Sequence, residues 1–197
     1  MSAQPRQRPA VLLLMGVAGS GKSTTAELLA ERLGWPFRDA DSFHPPANVE
    51  KMTAGTPLTD EDRWPWLYAI ADWMDAVMAR GENGIVTCSA LKRGYRDVLL
   101  TGRAGVALIY LKGDKGLIGE RLSARVGHFM PPALLDSQFH TLEEPGPDEN
   151  PHVIHVDAAP DEVVQRILAR TGLAAILPRA AGEGDHAKHG GGGTGRS

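Results

Sequence analysis

Two kinds of apolar segment alternate along this chain. Short runs of apolar residues predict buried strands at 11–15, 85–89, 106–111 and 153–156, with a further short strand at 35–39. Longer segments with apolar residues three and four positions apart predict helices at 22–33, 45–55, 64–80, 95–100, 114–126, 132–142 and 160–171. Because strands alternate with helices, we expect an α/β fold whose mostly parallel sheet is covered by helices on both faces.

Composition narrows the class of protein. The chain has 197 residues, 42% of them hydrophobic and 23% charged, which is typical of one globular domain. A net charge of -3 gives no overall basic surface, so we expect neither nucleic acid nor membrane as a partner. The apolar run at 10–15 is much shorter than the roughly 20 residues of a spanning helix. Cys88 is the only cysteine, which excludes an intrachain disulfide and fits a cytoplasmic location.

The two ends of the chain differ from its middle. Residues 1–9 are polar and include two prolines, and residues 179–197 are rich in glycine and alanine without periodicity. Such composition cannot bury enough apolar surface to offset the entropy of ordering. We therefore expect a flexible N-terminal arm at 1–9, one domain at 10–178 and a disordered tail at 179–197.

A phosphate-binding loop follows the first predicted strand. Residues 16–23 read GVAGSGKS and fit the pattern G-x-x-x-x-G-K-[ST], with a helix predicted directly after it. Glycines allow the backbone N–H groups to approach phosphate oxygens, and the helix adds its positive dipole end. In this pattern the lysine reaches the β- and γ-phosphates and the serine hydroxyl ligates Mg²⁺. The residues expected to bind the nucleotide are Gly16, Val17, Ala18, Gly19, Ser20, Gly21, Lys22, Ser23 and Thr24.

Two carboxylates follow the second predicted strand. In a parallel sheet the carboxyl ends of the strands share one edge, so Asp39 and Asp41 should lie near the phosphate loop. Being two residues apart, they can take different roles: one holding Mg²⁺ through water, the other accepting a proton from an attacking hydroxyl. The residues alone leave the two roles interchangeable; together with the resemblance given below, we assign the metal role to Asp39 and the base role to Asp41. The chain has no N-K-x-D guanine signature, which argues against a GTPase. The strand at 85–89 does not end in an acidic residue, which argues against a motor or AAA-type ATPase.

Longer segments resemble one kinase family. MGVAGSGKST, DADSFHPPANVEKMTAGTPLTDEDRWPWL, CSALKRGYRD, YLKGD and RLSARVGHFMPPALLDSQFHTLEEP are together similar to the bacterial-type gluconokinases, from about residue 14 to 157. The resemblance implies a P-loop NTPase fold with a five-stranded parallel sheet, a substrate-binding helical segment and a lid at about 121–133. It also implies transfer of phosphate from ATP to D-gluconate in a homodimer. The Gly-rich tail after residue 178 is not part of the family pattern.

Gluconate is a polyhydroxy carboxylate, so its site requires cations and polar groups. Arg121 and Arg125 lie four residues apart and share a helix face, which suits arginines closing over ATP phosphates. We expect Lys22, Asp41 and Arg125 to take part in catalysis, and Arg121 to bind the nucleotide. The residues expected to contact the acceptor are Asp41, His44, Arg63, Lys92, Arg96, His128 and Gln138.

Two other functions compete with this interpretation. A kinase for another small hydroxy acid such as shikimate would share the fold, but shikimate kinases usually carry a Gly-Gly-Gly segment where this chain reads CSALKR. A nucleotide-dependent switch without catalysis would also use the phosphate loop. The presence of Asp41 and of the two arginines argues against a switch.

Overall fold

The computed structural model describes residues 8–124 and 132–176. The strands are β1 Val11–Met15, β2 Phe37–Asp39, β3 Gly84–Thr87, β4 Val106–Lys112 and β5 His152–His155. The helices are α1 Lys22–Leu33, α2 Pro46–Thr53, α3 Asp60–Ala79, α4 Arg93–Leu100, α5 Lys115–Ser123, α6 Pro132–Thr141 and α7 Pro160–Thr171. Short 3₁₀ turns lie at Ala40–Phe43, Pro147–Glu149 and Leu173–Ile176.

The five strands form one parallel sheet in the order β2-β3-β1-β4-β5. β1 is central and all of its residues are fully buried. Its side chains alternate between two cores: Leu12 and Leu14 pack with α1 and α7, whereas Leu13 and Met15 pack with α3 and α4. This arrangement confirms the expected α/β fold, with a five-stranded parallel sheet flanked by helices on both faces.

Capping explains where two of the helices begin. α3 begins at Asp60, four residues before the predicted start, because Thr59 and Asp62 form a capping box. Thr59 Oγ1 accepts from Asp62 N at 3.3 Å, and Asp62 Oδ2 accepts from Thr59 N at 3.0 Å. α5 starts as predicted after Asp114, whose carboxylate accepts from Leu117 N at 2.8 Å. The described part of α5 ends at Ser123, short of the predicted 126.

α2 differs from an ordinary amphipathic helix. Its apolar residues Val49 and Met52 are exposed, whereas Asn48 is buried. Asn48 Nδ2 donates to the carbonyl oxygen of Asp62 at 2.7 Å, and Lys51 forms an ion pair with the Asp62 carboxylate. α2 is therefore attached to the start of α3 by polar contacts.

The predicted ends of the chain lie mostly outside the described residues. This holds for residues 1–7 of the arm, for the whole tail at 179–197 and for 125–131 of the predicted lid. The domain boundaries stay a prediction. None of the helices within 8–124 and 132–176 is long and apolar enough to cross a membrane.

Candidate active site

The phosphate loop connects β1 to α1 at the carboxyl edge of the sheet. Gly16 has a φ of +146°, and a Cβ there would lie 2.8 Å from the carbonyl oxygen of Leu111. At Gly19, φ is +81° and a Cβ would lie 2.7 Å from Leu122 Cγ on α5. Both positions therefore require glycine. Gly21 precedes α1 without a side-chain cap, so the first N–H groups of the helix face the loop, as anion binding requires.

Lys22 lies across the first half of the loop. Its Nζ donates to the carbonyl oxygens of Gly16 at 2.9 Å and Val17 at 3.0 Å. The next loop residue, Ala18, donates its N–H to Gln138 Oε1 at 2.7 Å. The ammonium group is therefore held over residues 16–17, where it can interact with the outer phosphates of a bound nucleotide.

Ser23, the Asp39 carboxylate and the backbone N–H of Asp41 form a hydrogen-bonded chain beside the loop. Ser23 Oγ donates to Asp39 Oδ2 at 3.0 Å, and Asp41 N donates to Asp39 Oδ1 at 3.1 Å. Hydroxyl and carboxylate oxygens are the ligands that Mg²⁺ prefers, and this ion normally keeps waters and phosphate oxygens in the rest of its shell. The described residues contain no group of three or more acidic, His or Cys side chains arranged for a metal. Ser23 Oγ and Asp39 Oδ2 lie together and are oxygens of this kind, so they suit an ion that is shared with a nucleotide.

A cavity of about 250 Å³ adjoins the second half of the loop. Arg121 lies in its wall and donates to the carbonyl oxygen of Ala158 at 3.3 Å. The cavity is lined by Gly19, Ser20, Gly21, Thr24, Thr25, Arg121, Leu122, Val156, Ala158, Pro160 and Val163. Arg121 and Thr24, two of the residues predicted to bind the nucleotide, therefore line the same cavity beside this half of the loop.

Two of the predicted acceptor-binding cations share one carboxylate. Lys92 Nζ donates to both oxygens of Asp60, at 2.9 and 2.7 Å, and Arg63 Nη1 lies 3.5 Å from Asp60 Oδ1. Tyr95 OH donates to the same Oδ1 at 2.6 Å. The hydrogen bonds from Lys92 and Tyr95 lower the pKa of Asp60, and the bond to Asp60 raises the pKa of Lys92. Asp60 is thus an anionic counter-charge that holds both cations in place.

His44 stacks on an indole ring. Its ring centroid lies 4.5 Å from that of Trp66, with the planes at 10°. Trp66 is fixed in turn because its Nε1 donates to the carbonyl oxygen of Ala40 at 2.7 Å. Burial lowers the pKa of His44, and the Arg63 charge lowers it further, against the opposing effect of Asp41. The imidazole is therefore close enough to both Asp41 and Arg63 to sense their charges, and its neutral form is favoured.

Arg96 is in the core and not in the cleft. Its side chain is 1% exposed and pairs through Nε and Nη2 with Glu149, whose side chain is 4% exposed. Nη1 donates to the carbonyl oxygens of Ala90 and Leu91 at 3.1 and 3.2 Å. This burial argues against the predicted contact between Arg96 and the acceptor, because the guanidinium is shielded from solvent and its bonds are already made.

Sequence reasoning missed Asp60 and Tyr95, the two residues that hydrogen-bond to each other beside Lys92 and Arg63. The Thr59-x-x-Asp62 capping signal would have placed Asp60 and Arg63 in the first turn of one helix. No local signal pairs Tyr95 with Asp60, because the two are 35 residues apart. The predicted Arg125 and His128 lie outside the described residues.

The fold, the phosphate loop and the adjoining carboxylates define the class: this chain is a P-loop kinase. A family model described as an AAA domain matches residues 11–145. The structure of an APS kinase from Mycobacterium tuberculosis is similar with a TM-score of 0.60, covering 82% of this chain and 96% of that one. At 17% identity, that likeness shows the fold alone.

Closer relatives are gluconokinases. The gluconokinase of Gluconobacter oxydans (strain 621H) is 45% identical over 161 residues, covering 82% of this chain and 90% of that protein. The crystal structure of a gluconokinase from Sinorhizobium meliloti 1021 has a TM-score of 0.75 and 42% identity, covering 87% of this chain and 96% of that one. The chain therefore belongs to the gluconokinase family.

Proposed function

We propose that this protein transfers the γ-phosphoryl group of ATP to the C6 hydroxyl of D-gluconate, giving 6-phospho-D-gluconate and ADP. The observation that carries the proposal is that Ser23 of the phosphate loop donates to the Asp39 carboxylate, which also accepts the Asp41 N–H, in a chain of the gluconokinase family. In this proposal the phosphate loop supplies the donor site, and the carboxylates beside it receive the acceptor hydroxyl.

Asp41 acts as the general base in this proposal. Its backbone N–H is held by Asp39, which fixes the start of the turn at Ala40–Phe43. The carboxylate takes the proton from the C6 hydroxyl as the oxygen attacks phosphorus in line with the departing ADP. Lys22 and Arg125 balance the negative charge on the transferred group. Mg²⁺, held by Ser23 and Asp39 when bound, would supply further charge neutralisation at the phosphates.

The gluconate carboxylate is recognised by Arg63 and Lys92. Both cations are already oriented by Asp60, so little conformational entropy is lost when a second carboxylate binds. Neutral His44 offers a hydrogen bond to a hydroxyl group. His128 is included on the sequence resemblance alone, and for Gln138, which the sequence also assigns to the acceptor, a different role is argued below. A neutral sugar such as glucose lacks the anionic group that these cations require.

The proposal also covers where and how the protein works. We infer a cytoplasmic enzyme with one catalytic domain at 10–178, acting as a homodimer without nucleic acid or membrane partners. The single cysteine supports the cytoplasmic location. The absence of an overall basic surface supports the lack of nucleic acid and membrane partners. Light scattering during size-exclusion chromatography tests the dimer, whose mass would be twice that of the 21.1 kDa chain.

The test is an ADP-release assay with Mg·ATP and a panel of acceptors. The panel contains D-gluconate, related aldonates, shikimate, glucose and no acceptor. We expect ADP release that depends strongly on D-gluconate, with 6-phospho-D-gluconate as the product. ADP release with shikimate or another acid in place of D-gluconate would show that the substrate is wrong and that the protein is still a kinase. ATP binding with no ADP release in the presence of any acceptor would support the nucleotide switch instead.

A further inference from the structure

The side chain of Gln138 crosses from α6 to the phosphate loop. Its Oε1 accepts the Ala18 N–H at 2.7 Å, between residues 120 positions apart in sequence. An N–H group can only donate, so the carboxamide oxygen must face Ala18 and the NH₂ group must point away from that N–H. Nε2 makes no hydrogen bond to any residue in the described ranges. Two oriented donors therefore lie beside the loop.

This contact is at the outer-phosphate end of the loop. Ala18 directly follows Gly16 and Val17, whose carbonyl oxygens hold the Lys22 ammonium. The cavity of about 250 Å³ lies on the other side, beyond Gly19 and Thr24. A nucleotide that spans the loop from this cavity to Lys22 would bring its last phosphate toward Gln138.

α6 holds Gln138 firmly in this position. Leu135, one turn earlier, is buried in the core, and Phe139 packs against the same core. At the end of the helix, Leu142 N donates to the Gln138 carbonyl and Glu143 N donates to the Leu91 carbonyl at 2.8 Å. The carboxamide is therefore presented by a packed helix, which suits a group that must hold a fixed geometry.

We propose that Gln138 binds the transferred phosphoryl group, with Oε1 anchored on Ala18 and Nε2 donating to a γ-phosphate oxygen. This inference deepens the proposed function and rests on it for the reaction. A fixed N–H donor stabilises the negative charge on the γ-phosphate oxygens during transfer. ADP has no γ-phosphate, so this donor finds no equivalent partner there. Gln138 therefore distinguishes ATP from ADP, a role different from the hydroxyl contact expected from the sequence.

Two variants of Gln138 and one control distinguish the proposed Nε2 donor from the Oε1 contact with Ala18. Gln138→Glu keeps an oxygen for the Ala18 N–H but replaces the NH₂ donor with a second carboxylate oxygen. Gln138→Met removes both hydrogen bonds at similar length. The matched control is Ser137→Glu, which adds the same charge one residue away at an exposed position.

The first measurement is nucleotide affinity by calorimetry, with ADP and a non-hydrolysable ATP analogue and without gluconate. For Gln138→Glu we expect the analogue to bind at least ~10-fold more weakly than to the wild type and ADP to change by less than ~3-fold. In the assay with gluconate, its kcat should fall by about 10²–10³, the usual loss for one oriented donor. Ser137→Glu should match the wild type in both measurements.

The pH profile gives a second signature. When the carboxyl group introduced by Gln138→Glu is protonated, it regains one O–H donor. The activity of this variant relative to the wild type should therefore rise as the pH is lowered toward the pKa of the new carboxyl group. Gln138→Met introduces no titrating group and should show a constant ratio. A purely structural anchor would give no such rise.

Two results would overturn the inference. One is an equal loss of affinity for ADP and the ATP analogue in Gln138→Glu, which would make Gln138 an anchor of the loop only. The other is wild-type affinity and kcat in that variant. If the wild-type protein phosphorylates no gluconate while Gln138→Glu still binds the analogue selectively more weakly, the proposed function fails and the Gln138 contact stands.

Discussion

At the scale of single residues, several polar side chains of the candidate site already have partners before any substrate binds. Asp60 neutralises Lys92 and Arg63, and Asp39 accepts hydrogen bonds from Ser23 and Asp41. Asp41, by contrast, has an exposed side chain. This exposure is what a base requires in order to reach an incoming hydroxyl group.

Replacing Asp41 should separate binding from chemistry. Asp41→Asn keeps the shape and the backbone hydrogen bond but cannot accept the proton, so we expect kcat to fall by about 10²–10⁴ with ATP affinity nearly unchanged. The ADP-release assay and calorimetry measure the two quantities. Turnover close to that of the wild type would eliminate Asp41 as the base.

The stacked pair His44–Trp66 should report its own protonation. Burial, aided by Arg63, holds the pKa of His44 below its ordinary value of about 6.5. A protonated imidazole quenches a stacked indole, so tryptophan fluorescence should drop in a step at a pH below that value. The unfolded chain binds this proton more readily than the native chain, so stability also falls as the pH decreases through this window. His44→Gln should lose the fluorescence step, and its persistence in that variant would assign the step to another group.

Single residues also show the limit of sequence reasoning. Arg63, Lys92 and Arg96 look alike in the sequence, because each lies in a polar motif near a predicted strand end or helix start. The first two meet at Asp60, whereas Arg96 is buried against Glu149, which is 53 residues away. Only the folded chain decides which carboxylate a cation meets, so the sequence predicts the phosphate loop well and the acceptor side less well.

At the scale of elements, the start of α3 organises the residues that we propose to bind the acceptor. The capping box of Thr59 and Asp62 fixes the first turn, and that turn carries Asp60 and Arg63. Asp62 also receives Lys51 and Asn48 from α2. The sequence places the body of α3 correctly from its apolar periodicity, but it misses the first turn because that turn is polar.

Removing the cap should therefore affect stability and acceptor binding together. Thr59→Ala should cost about 0.5–2 kcal/mol of unfolding free energy, the usual effect of losing a Thr cap. Because the displaced turn carries Arg63, KM for gluconate should rise more than KM for ATP. Urea unfolding and steady-state kinetics measure both effects. Thr56→Ala, the same change in the loop before the helix, is the control, and an equal effect there would contradict the role of the cap.

At the scale of the whole molecule, a buried ion pair links distant parts of the chain. Arg96 on α4 and Glu149 in the turn before β5 face each other with almost no exposure. Burial alone would raise the pKa of Glu149, but the hydrogen bonds from Arg96 and from Gly146 N outweigh it, and the pKa is lowered. The pair joins the helix that follows β3 to the turn that leads into the edge strand β5.

Breaking this pair should strongly destabilise the fold. Glu149→Ala leaves the Arg96 charge buried and uncompensated, which should cost about 3–5 kcal/mol in urea unfolding. The stabilisation from Glu149 is present above the pKa it has in the unfolded chain and is lost as the pH falls through its lowered native value. Asp148→Ala is the matched control, because Asp148 pairs with Arg93 at 2.8 Å on the surface and should contribute little. Similar losses in both variants would contradict a special role for the buried pair.

The position of Lys22 makes nucleotide binding an exchange. The carbonyl oxygens of Gly16 and Val17 already bind the ammonium group. If phosphate oxygens draw that group away, its two hydrogen bonds are broken; the Val17 carbonyl keeps the Ser20 N–H at 3.2 Å, whereas the Gly16 carbonyl loses the lysine. The heat released on titration is reduced by what breaking these bonds consumes. A measured binding enthalpy therefore understates how strongly the lysine binds phosphate. Between turnovers, the same two carbonyls keep the Lys22 ammonium group in a fixed position.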